Sequence, residues 1–254
     1  MNFSTLLQSK KLIGAHRGAR SEAPENTLLA LETCVGRCDF VEVDVQLSRD
    51  AMAVIAHDAT LARTSDVARV YPNRTHERVA SFTSQELTQL DFGSWYYKER
   101  GLEARPQTLL SLEQTLQFCK EKQLPINIEI KDIAADFSDA LVVQKVLEII
   151  EALDVAHLCL LSSFHHNYLK LLAKNRLDIP IAALVEELHP KDLLEYLRAL
   201  DVVGYFMEDA LVSSEIVTLL RENGYFVGVY TVSESARQEE LFGMGVHVLF
   251  SDIL

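Results

Sequence analysis

The sequence has 254 residues, of which 48% are hydrophobic and 24% are charged; this composition is typical of a globular chain with a sizeable core and excludes a disordered or collagen-like one. This length fits one large domain, and we expect residues 1–254 to form a single domain. The formal net charge of −13 argues against nucleic acid as a partner and against stable membrane association, because no strong local basic patch offsets it.

Residues 1–18 contain no apolar run of signal-peptide length ahead of their lysines, and no window of the sequence approaches the roughly 20 apolar residues of a membrane-spanning helix. We therefore expect a cytoplasmic protein. The four cysteines form no Cys-x-x-Cys pair. We expect them to be small buried side chains, although Cys34 and Cys38 lie one helical turn apart and leave a metal or redox pair open.

Short β-rich runs alternate with helical patterns along almost the whole chain. Strands are predicted, in chain order, at residues 11–16, 40–47, 53–58, 125–131, 157–164, 179–186, 201–207, 225–232 and 246–252. Helices are predicted between them, from apolar residues spaced three and four apart, at 26–35, 111–122, 137–153, 167–175, 190–199, 213–223 and 233–242. This alternation indicates a parallel sheet that is covered by helices.

The link between the second and third predicted strands breaks this alternation. It spans only residues 48–52, whereas a parallel crossover needs about a dozen residues or more, so these two strands should form an antiparallel hairpin. Without the return arm, eight strands remain in βα order, the number that closes a (β/α)8 TIM barrel of the α/β class. A doubly wound open sheet is the alternative, but no Gly-x-Gly-x-x-Gly turn follows a strand.

Residues 59–110 show no clean periodicity and contain the only tryptophan, Trp95. A segment of this length is too long for a simple connection in a compact domain. We expect either an insertion over the active-site face or a mobile lid.

Carboxylates lie on one face of two predicted strands. Side chains alternate along a strand, so Glu42 and Asp44 share a face, and Glu129 and Lys131 share a face of the fourth strand. Carboxylates inside a buried strand cost on the order of several kcal/mol each unless something compensates them. A divalent cation is the simplest compensation, and an oxygen-only ligand set suits Mg²⁺ or Ca²⁺ rather than Zn²⁺. The alternative is a pair of half-exposed strands whose polar faces meet water.

Two histidines end strands at the same predicted rim. His16 closes the first strand and His57 closes the return arm of the hairpin, and TIM barrels keep their chemistry at the carboxyl ends of their strands. Imidazoles suit general acid and base catalysis, although either histidine alone could be structural. The planar fork of Arg17 and the point charge of Lys131 would suit the oxygens of a phosphoryl group at that rim.

The stretch Ala-Pro-Glu-Asn-Thr, residues 23–27, reads as the start of the first long helix. Pro24 fixes the backbone, and Asn26 or Thr27 supplies the N-cap. We expect Glu25 to bond neighbouring backbone amides.

Four stretches together, "GAHRGARSEAPENTLLALE", "DFVEVDVQLSRD", "VIAHDATLARTSD" and "NIEIK", resemble the glycerophosphodiester phosphodiesterase family, which belongs to the phospholipase C-like phosphodiesterase barrels. The resemblance continues through "LDFGSWYYKERG", "LLSSF", "VYTVSE" and "GVHVLFSD" and so covers nearly the whole chain.

The resemblance implies hydrolysis of a small-molecule glycerophosphodiester to sn-glycerol 3-phosphate and an alcohol, a reaction of glycerol and lipid metabolism. It implies that His16 and His57 are the general acid and base, that Glu42, Asp44 and Glu129 bind one divalent cation, and that Arg17 and Lys131 hold the phosphate. The cation would be Mg²⁺ or Ca²⁺, with Mn²⁺ also open. Candidates for lining the substrate are Phe164, Tyr230 and Trp95.

The sequence departs from the family's pattern at positions outside this set. The hairpin turn, usually Asp-Gly, is Asp50 followed by Ala51, for which we expect a different turn type. Tyr230 stands where a tryptophan is common, and Leu110 replaces the usual proline. These departures leave the preferred alcohol open.

Two other functions are compatible with the sequence. Trp95, Tyr96 and Tyr97 could line an apolar slot for an acyl chain, as in a lysophospholipid-cleaving phosphodiesterase of the D type. A non-catalytic barrel could bind a metal and a phosphate without turnover, but binding alone would not require two histidines beside the metal. The oligomeric state is not indicated by the sequence.

Overall fold

Nine β-strands and eleven α-helices lie in the part of the chain that the computed structural model describes, residues 2–9, 11–174 and 178–254. The strands are β1 Leu12–Ala15, β2 Phe40–Leu47, β3 Ala53–Ile55, β4 Ile126–Ile130, β5 Cys159–Ser163, β6 Ile181–Val185, β7 Gly204–Glu208, β8 Phe226–Tyr230 and β9 Val248–Ser251. The helices are α1 Phe3–Leu6, α2 Leu28–Cys34, α3 Val67–Val70, α4 Ser84–Leu87, α5 Ser94–Glu99, α6 Leu112–Lys122, α7 Asp139–Leu153, α8 His166–Leu172, α9 Leu193–Leu200, α10 Ser214–Glu222 and α11 Ser235–Met244. Short 3₁₀ turns lie at Pro72–Arg74, Val79–Ser81, Ala156–Leu158 and Asp209–Leu211.

Eight of these strands close into a parallel barrel. The order around it is β1, β2, β4, β5, β6, β7, β8 and β9, and β9 pairs in parallel with β1 to complete the ring. All nine predicted strands are therefore present, and the predicted TIM barrel is confirmed. The helices pack outside the ring, where apolar side chains of the strands and helices form one continuous core.

The hairpin formed by β2 and β3 is antiparallel, as predicted, with Val45 opposite Ile55. The expected change of turn type stays a prediction, but the residue that stands in place of the usual glycine has a glycine-like conformation. Ala51 takes a left-handed backbone with φ of 58°, the conformation that glycine usually supplies at the end of a three-residue hairpin loop. Its N–H donates to the Ser48 carbonyl at 2.8 Å. The alanine thus keeps the turn that a glycine would form more easily.

Aromatic side chains fill the amino-terminal half of the barrel interior. Phe40, Phe206 and Phe250 pack there edge to face or tilted, and Phe3 of α1 contacts Phe40 from below. The rings need space, and the backbone provides it at Gly228, where a Cβ atom would overlap the Phe206 ring. The polar cavity of the barrel is thereby confined to the carboxyl ends of the strands.

Residues 59–110 form an insertion with a core of its own. Short helices and turns enclose buried side chains such as Leu61, Val79, Phe82 and Leu90. Tyr96 in α5 donates its hydroxyl to a backbone carbonyl in the loop that follows β1, at 2.5 Å. This hydrogen bond therefore attaches the insertion to the loop that follows β1.

Some details of the prediction differ from the structure. The helix expected to reach Asn175 ends at Leu172, and Asn175 itself lies outside the described residues. Neither α1 nor the short helices of the insertion were predicted, because four to six residues show too little periodicity. Within the described residues, no helix has both the length and the apolar composition that crossing a membrane requires.

The cysteines fit the expectation of small buried side chains at three of their four positions. Cys34, Cys119 and Cys159 are buried and Cys38 is half-buried, and none is in a disulfide with another described cysteine. The Cys34 thiol donates to the Ala30 carbonyl at 3.0 Å within its own helix.

Candidate active site

The predicted site residues other than Trp95 meet at the carboxyl end of the barrel. There they line a cavity of about 470 Å³, except for Asp44, which is buried beside it. Its polar lining includes His16, Arg17, Glu42, Gln46, His57, Asn127, Glu129 and Lys131, and its less polar side includes Phe164, Leu184, Tyr230 and Phe250. Residues in or just after every strand except β7 contribute to this lining, because parallel strands end at one rim.

The three carboxylates lie close together, as the strand alternation predicted. Asp44 on β2 is paired in register with Glu129 on β4, and Glu42 lies on the same face of β2. One carboxylate oxygen from each residue lies within 4.8 Å of the others. Glu42 and Asp44 are only 2% and 1% exposed, so water does not solvate these charges. The half-exposed-strand alternative is thereby excluded.

Hydrogen bonds within the protein reach only some of the oxygens of these three carboxylates. Glu42 Oε2 accepts a hydrogen bond from the Arg17 N–H at 2.8 Å, and Glu129 Oε1 accepts one from Lys131 Nζ at 2.5 Å. Asp44 Oδ2 accepts one from Asn26 Nδ2 at 2.9 Å. Glu42 Oε1, by contrast, is buried and has no hydrogen-bond partner among the described residues. An orphaned buried carboxylate oxygen beside two others is the donor set that a hard divalent cation fits.

The pKa values of the three carboxyl groups shift in different directions. Burial raises the pKa of Glu42 well above its ordinary value, and the neighbouring carboxylates Asp44 and Glu129 raise it further. Burial likewise raises the pKa of Glu129, with Asp44 adding to the effect. Burial would raise the pKa of Asp44 too, but Lys131, His57 and Arg17 outweigh it and lower that pKa to about 2. A cation between them would relieve the repulsion that Glu42 and Glu129 experience.

Each histidine of the cavity has its Nδ1 beside a carboxylate. His16 Nδ1 lies 2.7 Å from Asp252 Oδ1, and His57 Nδ1 lies 2.7 Å from Asp58 Oδ1. Burial lowers the pKa of His16 more than the Asp252 hydrogen bond raises it. A neutral His16 can donate its Nδ1 proton to Asp252, which leaves Nε2 as the nitrogen available for proton transfer.

The two cationic groups lie beside the acids. Lys131 Nζ is 3.5 Å from Asp44 Oδ1, and Arg17 Nε is 3.5 Å from Asp44 Oδ2. Arg17 has a left-handed backbone with φ of 54°, which costs about 1–2 kcal/mol in a residue with a side chain. Its Nε is buried without a hydrogen-bond partner among the described residues. Strain and an unsatisfied donor at one residue are typical of a functional site.

Several polar residues of this region were not predicted. Asn26 has φ of 58° and bonds Asp44, so the N-cap of α2 is Thr27, whose side chain accepts from the Ala30 N–H. Glu25 does not bond backbone amides as expected, because its carboxylate accepts from arginine side chains instead. Asp252 ends the last predicted strand, and that position at the rim could have indicated its role.

The three candidate substrate-lining residues divide between two places. Phe164 and Tyr230 line the cavity and pack edge to face, with ring centroids 5.9 Å apart. Trp95 is not among the residues that line it. Its indole N–H donates to the Phe92 carbonyl at 3.0 Å, and its ring lies 5.8 Å from the Arg63 guanidinium. These contacts of Trp95 are therefore with residues of the insertion rather than with the cavity.

The chain is similar to proteins of one family along nearly its whole length. Residues 16–254 match the model of the "Glycerophosphoryl diester phosphodiesterase family". A glycerophosphodiester phosphodiesterase of Bacillus altitudinis is 30% identical, with 94% of each chain covered. The structure of an Oleispira antarctica phosphodiesterase in complex with the product sn-glycerol 3-phosphate is 27% identical, with a TM-score of 0.82 and coverage of 95% of this chain and 92% of that one. A Parabacteroides distasonis glycerophosphodiester phosphodiesterase has the same fold, with 21% identity, a TM-score of 0.78, and coverage of 96% and 93%.

Proposed function

The chain belongs to the glycerophosphoryl diester phosphodiesterase family, and from this membership we propose that it hydrolyses small glycerophosphodiesters to sn-glycerol 3-phosphate and an alcohol. The observation that supports this most is the content of one cavity. It brings two carboxylate-bound histidines, an arginine, a lysine and a cluster of acids to a single rim of the barrel. These are the groups that moving a phosphoryl group requires.

We propose that His16 and His57 divide the proton transfers. One imidazole accepts the proton of the attacking oxygen, which comes from water or from the glycerol 2-hydroxyl, while that oxygen forms the new bond to phosphorus. The other imidazole donates a proton to the alcohol oxygen as its bond to phosphorus breaks. If the 2-hydroxyl attacks, water opens the cyclic ester with the two histidines in exchanged roles. Arg17 and Lys131 would bind the phosphoryl oxygens throughout.

Glu42, Asp44 and Glu129 would hold one divalent cation in this proposal. The orphaned oxygen of Glu42 and the raised pKa of two of the acids support it. An all-oxygen set favours Mg²⁺ or Ca²⁺, with Mn²⁺ also accepted. When bound, the cation would stabilise negative charge on the phosphoryl oxygens.

A coupled assay for sn-glycerol 3-phosphate tests this function. Enzyme stripped of metal by a chelator should release no product from glycerophosphocholine, glycerophosphoethanolamine or glycerophosphoglycerol, and Mg²⁺, Ca²⁺ or Mn²⁺ should restore release. Absence of product with every substrate and every cation would contradict the proposal and favour a phosphate-binding barrel.

The lysophospholipase D alternative receives no support from the aromatic cluster that suggested it. Tyr96 and Tyr97 are buried in the insertion, and neither they nor Trp95 are among the residues that line the cavity. Lysophosphatidylcholine in the same assay, with choline release as the readout, would detect such an activity.

We also propose that residues 1–254 act as one domain, which the pairing of β1 with β9 supports. A cytoplasmic location and the absence of a nucleic-acid partner stay predictions. Fractionation of cells and a filter-binding measurement with DNA and RNA would test them.

A further inference from the structure

Glu25 lies in the loop between β1 and α2, outside the cavity, and its side chain is only 3% exposed. Three arginines surround its carboxylate. Arg17 Nη1 is 3.0 Å from Oε1, and Arg20 Nη2 is 3.2 Å from Oε2. Arg63 donates to both oxygens, Nη2 to Oε1 at 2.7 Å and Nη1 to Oε2 at 2.9 Å. A single buried carboxylate thus joins three cationic side chains.

Arg63 connects Glu25 to His57. The same guanidinium that binds Glu25 also donates to Asp58, from Nε to Oδ2 at 2.7 Å and from Nη2 to Oδ1 at 3.0 Å. Asp58 is the carboxylate beside His57 Nδ1. Two bidentate pairs on one planar fork leave Arg63 little rotational freedom, with the Trp95 ring nearby as further support. The orientation of the His57 ring therefore depends on Glu25 through two rigid contacts.

Arg20 connects Glu25 to the other histidine. Its Nη1 lies 3.6 Å from Asp252 Oδ1, and Asp252 is the carboxylate beside His16 Nδ1. Arg17, the proposed phosphate-binding residue, contacts Glu25 directly. One chain of ion pairs thus runs from His16 through Glu25 to His57 and branches to the phosphate site.

We propose that Glu25 is a positioning residue that holds both histidines and the phosphate-binding Arg17 in their working orientations. This inference rests on the proposed function. Glu25 does not line the cavity, so it acts through Arg17, Arg20 and Arg63 rather than on the substrate. The alternative is that the Glu25–Arg63 pair only fastens the insertion to the first loop, as Tyr96 also does.

Two conservative substitutions distinguish the positioning role of Glu25 from a role in which it only fastens the insertion. Glu25→Gln keeps the shape of the side chain and removes its charge, and Arg63→Lys keeps the charge and removes the fork. We expect each to lower kcat by about 10- to 100-fold, by analogy with the loss that follows when the carboxylate partner of a metal-bound histidine is removed. Glu25→Gln should also raise KM and weaken binding of sn-glycerol 3-phosphate in calorimetry, because Arg17 loses its partner. Arg63→Lys should leave that binding unchanged.

The chain offers a matched control for both changes. Glu22 and Arg37 form the same bidentate pair on the surface, at 2.9 and 2.6 Å, with 46% and 39% of their side chains exposed. Glu22→Gln and Arg37→Lys should keep wild-type kcat and KM. Should Glu25→Gln fail to fold, Arg63→Lys carries the test of the His57 branch by itself.

A double-mutant cycle measures the coupling in kcat between Glu25 and Asp58, which a purely structural role of Glu25 would not produce. If Glu25 acts on His57 through Arg63 and Asp58, then Glu25→Gln combined with Asp58→Asn should lose less kcat than the product of the two separate losses. Independent losses, or wild-type kcat in both Glu25→Gln and Arg63→Lys, would overturn the positioning role while the phosphodiesterase function stands. No product from the unmodified enzyme would overturn both.

Discussion

Each of the two cavity histidines has its Nδ1 beside a carboxylate, and the two carboxylates come from different places in the chain. Asp58 follows His57 directly, whereas Asp252 comes from the last strand of the barrel to meet His16. In both pairs the carboxylate occupies Nδ1 and so determines which nitrogen faces the cavity. A side chain that lacks the second ring nitrogen cannot both bind the carboxylate and transfer a proton.

His16→Ala and His57→Ala should each lower kcat by about 100- to 10,000-fold, the range that general acid and base catalysis contributes. His157→Ala removes an exposed imidazole far from the rim and serves as the control, with wild-type kcat expected. The measurement is the coupled assay at saturating substrate and cation. Near-native turnover in either active-site variant would exclude that histidine from proton transfer.

His16 should also make the stability of the metal-free protein depend on pH. Burial holds the pKa of His16 below the ordinary 6.5 in the folded state. As the pH falls below that value, the unfolded chain takes up a proton that folded His16 does not, so the free energy of unfolding should decrease until the lowered pKa is reached. Urea unfolding between pH 7.5 and 5 should show this decrease, and His16→Asn should show less of it. An equal slope in His16→Asn and the wild type would contradict the assignment.

At the scale of single elements, the β2–β3 hairpin contains avoidable strain. Ala51 has a left-handed backbone, which costs a residue with a side chain about 1–2 kcal/mol. Ala51→Gly should raise the free energy of unfolding by up to about 1 kcal/mol, since the more flexible unfolded chain cancels part of the gain. Urea midpoints would measure it. Ala135→Gly, at an exposed turn residue without a left-handed backbone, should give no such gain.

Replacing glycine with alanine should have opposite effects on stability at two positions, one beside the aromatic interior of the barrel and one in a surface helix. Gly228→Ala on β8 would push a methyl group into the buried Phe206 ring and should destabilise the protein by about 1–3 kcal/mol, as overpacking does. Gly243→Ala in α11 meets nothing within 4 Å and should stabilise by about 0.5–1 kcal/mol, because alanine favours a helix. Denaturant unfolding of both variants measures the difference, and equal effects would contradict this packing.

At the scale of the whole molecule, the barrel and most of its rim could be predicted from the sequence. Alternating side chains on two strands placed Glu42, Asp44 and Glu129 together, because alternation in a strand is a rule of backbone geometry. The Glu25 ion pairs could not be predicted, since they join residues of separate loops, such as Glu25 and Arg63, that only the pairing of β1, β2 and β3 brings together. The prediction that Trp95 could line the substrate rests on its aromatic side chain and its place in the insertion, whereas its contacts with Phe92 and Arg63 decide where it packs.

Metal binding should stabilise the folded chain as a whole. The repulsion among Glu42, Asp44 and Glu129 exists only in the folded state, so a cation that neutralises it binds that state preferentially. Mg²⁺ or Ca²⁺ at about 100 times its Kd should add about 2.7 kcal/mol, or about 5–10 °C in Tm for a chain of this size. Glu129→Gln should lose most of this response, and Glu222→Gln on the exposed face of α10 should keep it. An unchanged Tm with every cation would contradict the metal site.

The seam between β1 and β9 has a consequence for the time course of folding. His16 and Asp252 are 236 positions apart in the chain, and the seam is what brings them to 2.7 Å. Contacts across such a separation form late, because loop closure costs entropy before any contact repays it. A refolding intermediate with most of its helices and strands but an open seam would lack an oriented His16. Catalytic activity should therefore return after secondary structure does, so that the enzyme's turnover reports the closure of its own barrel.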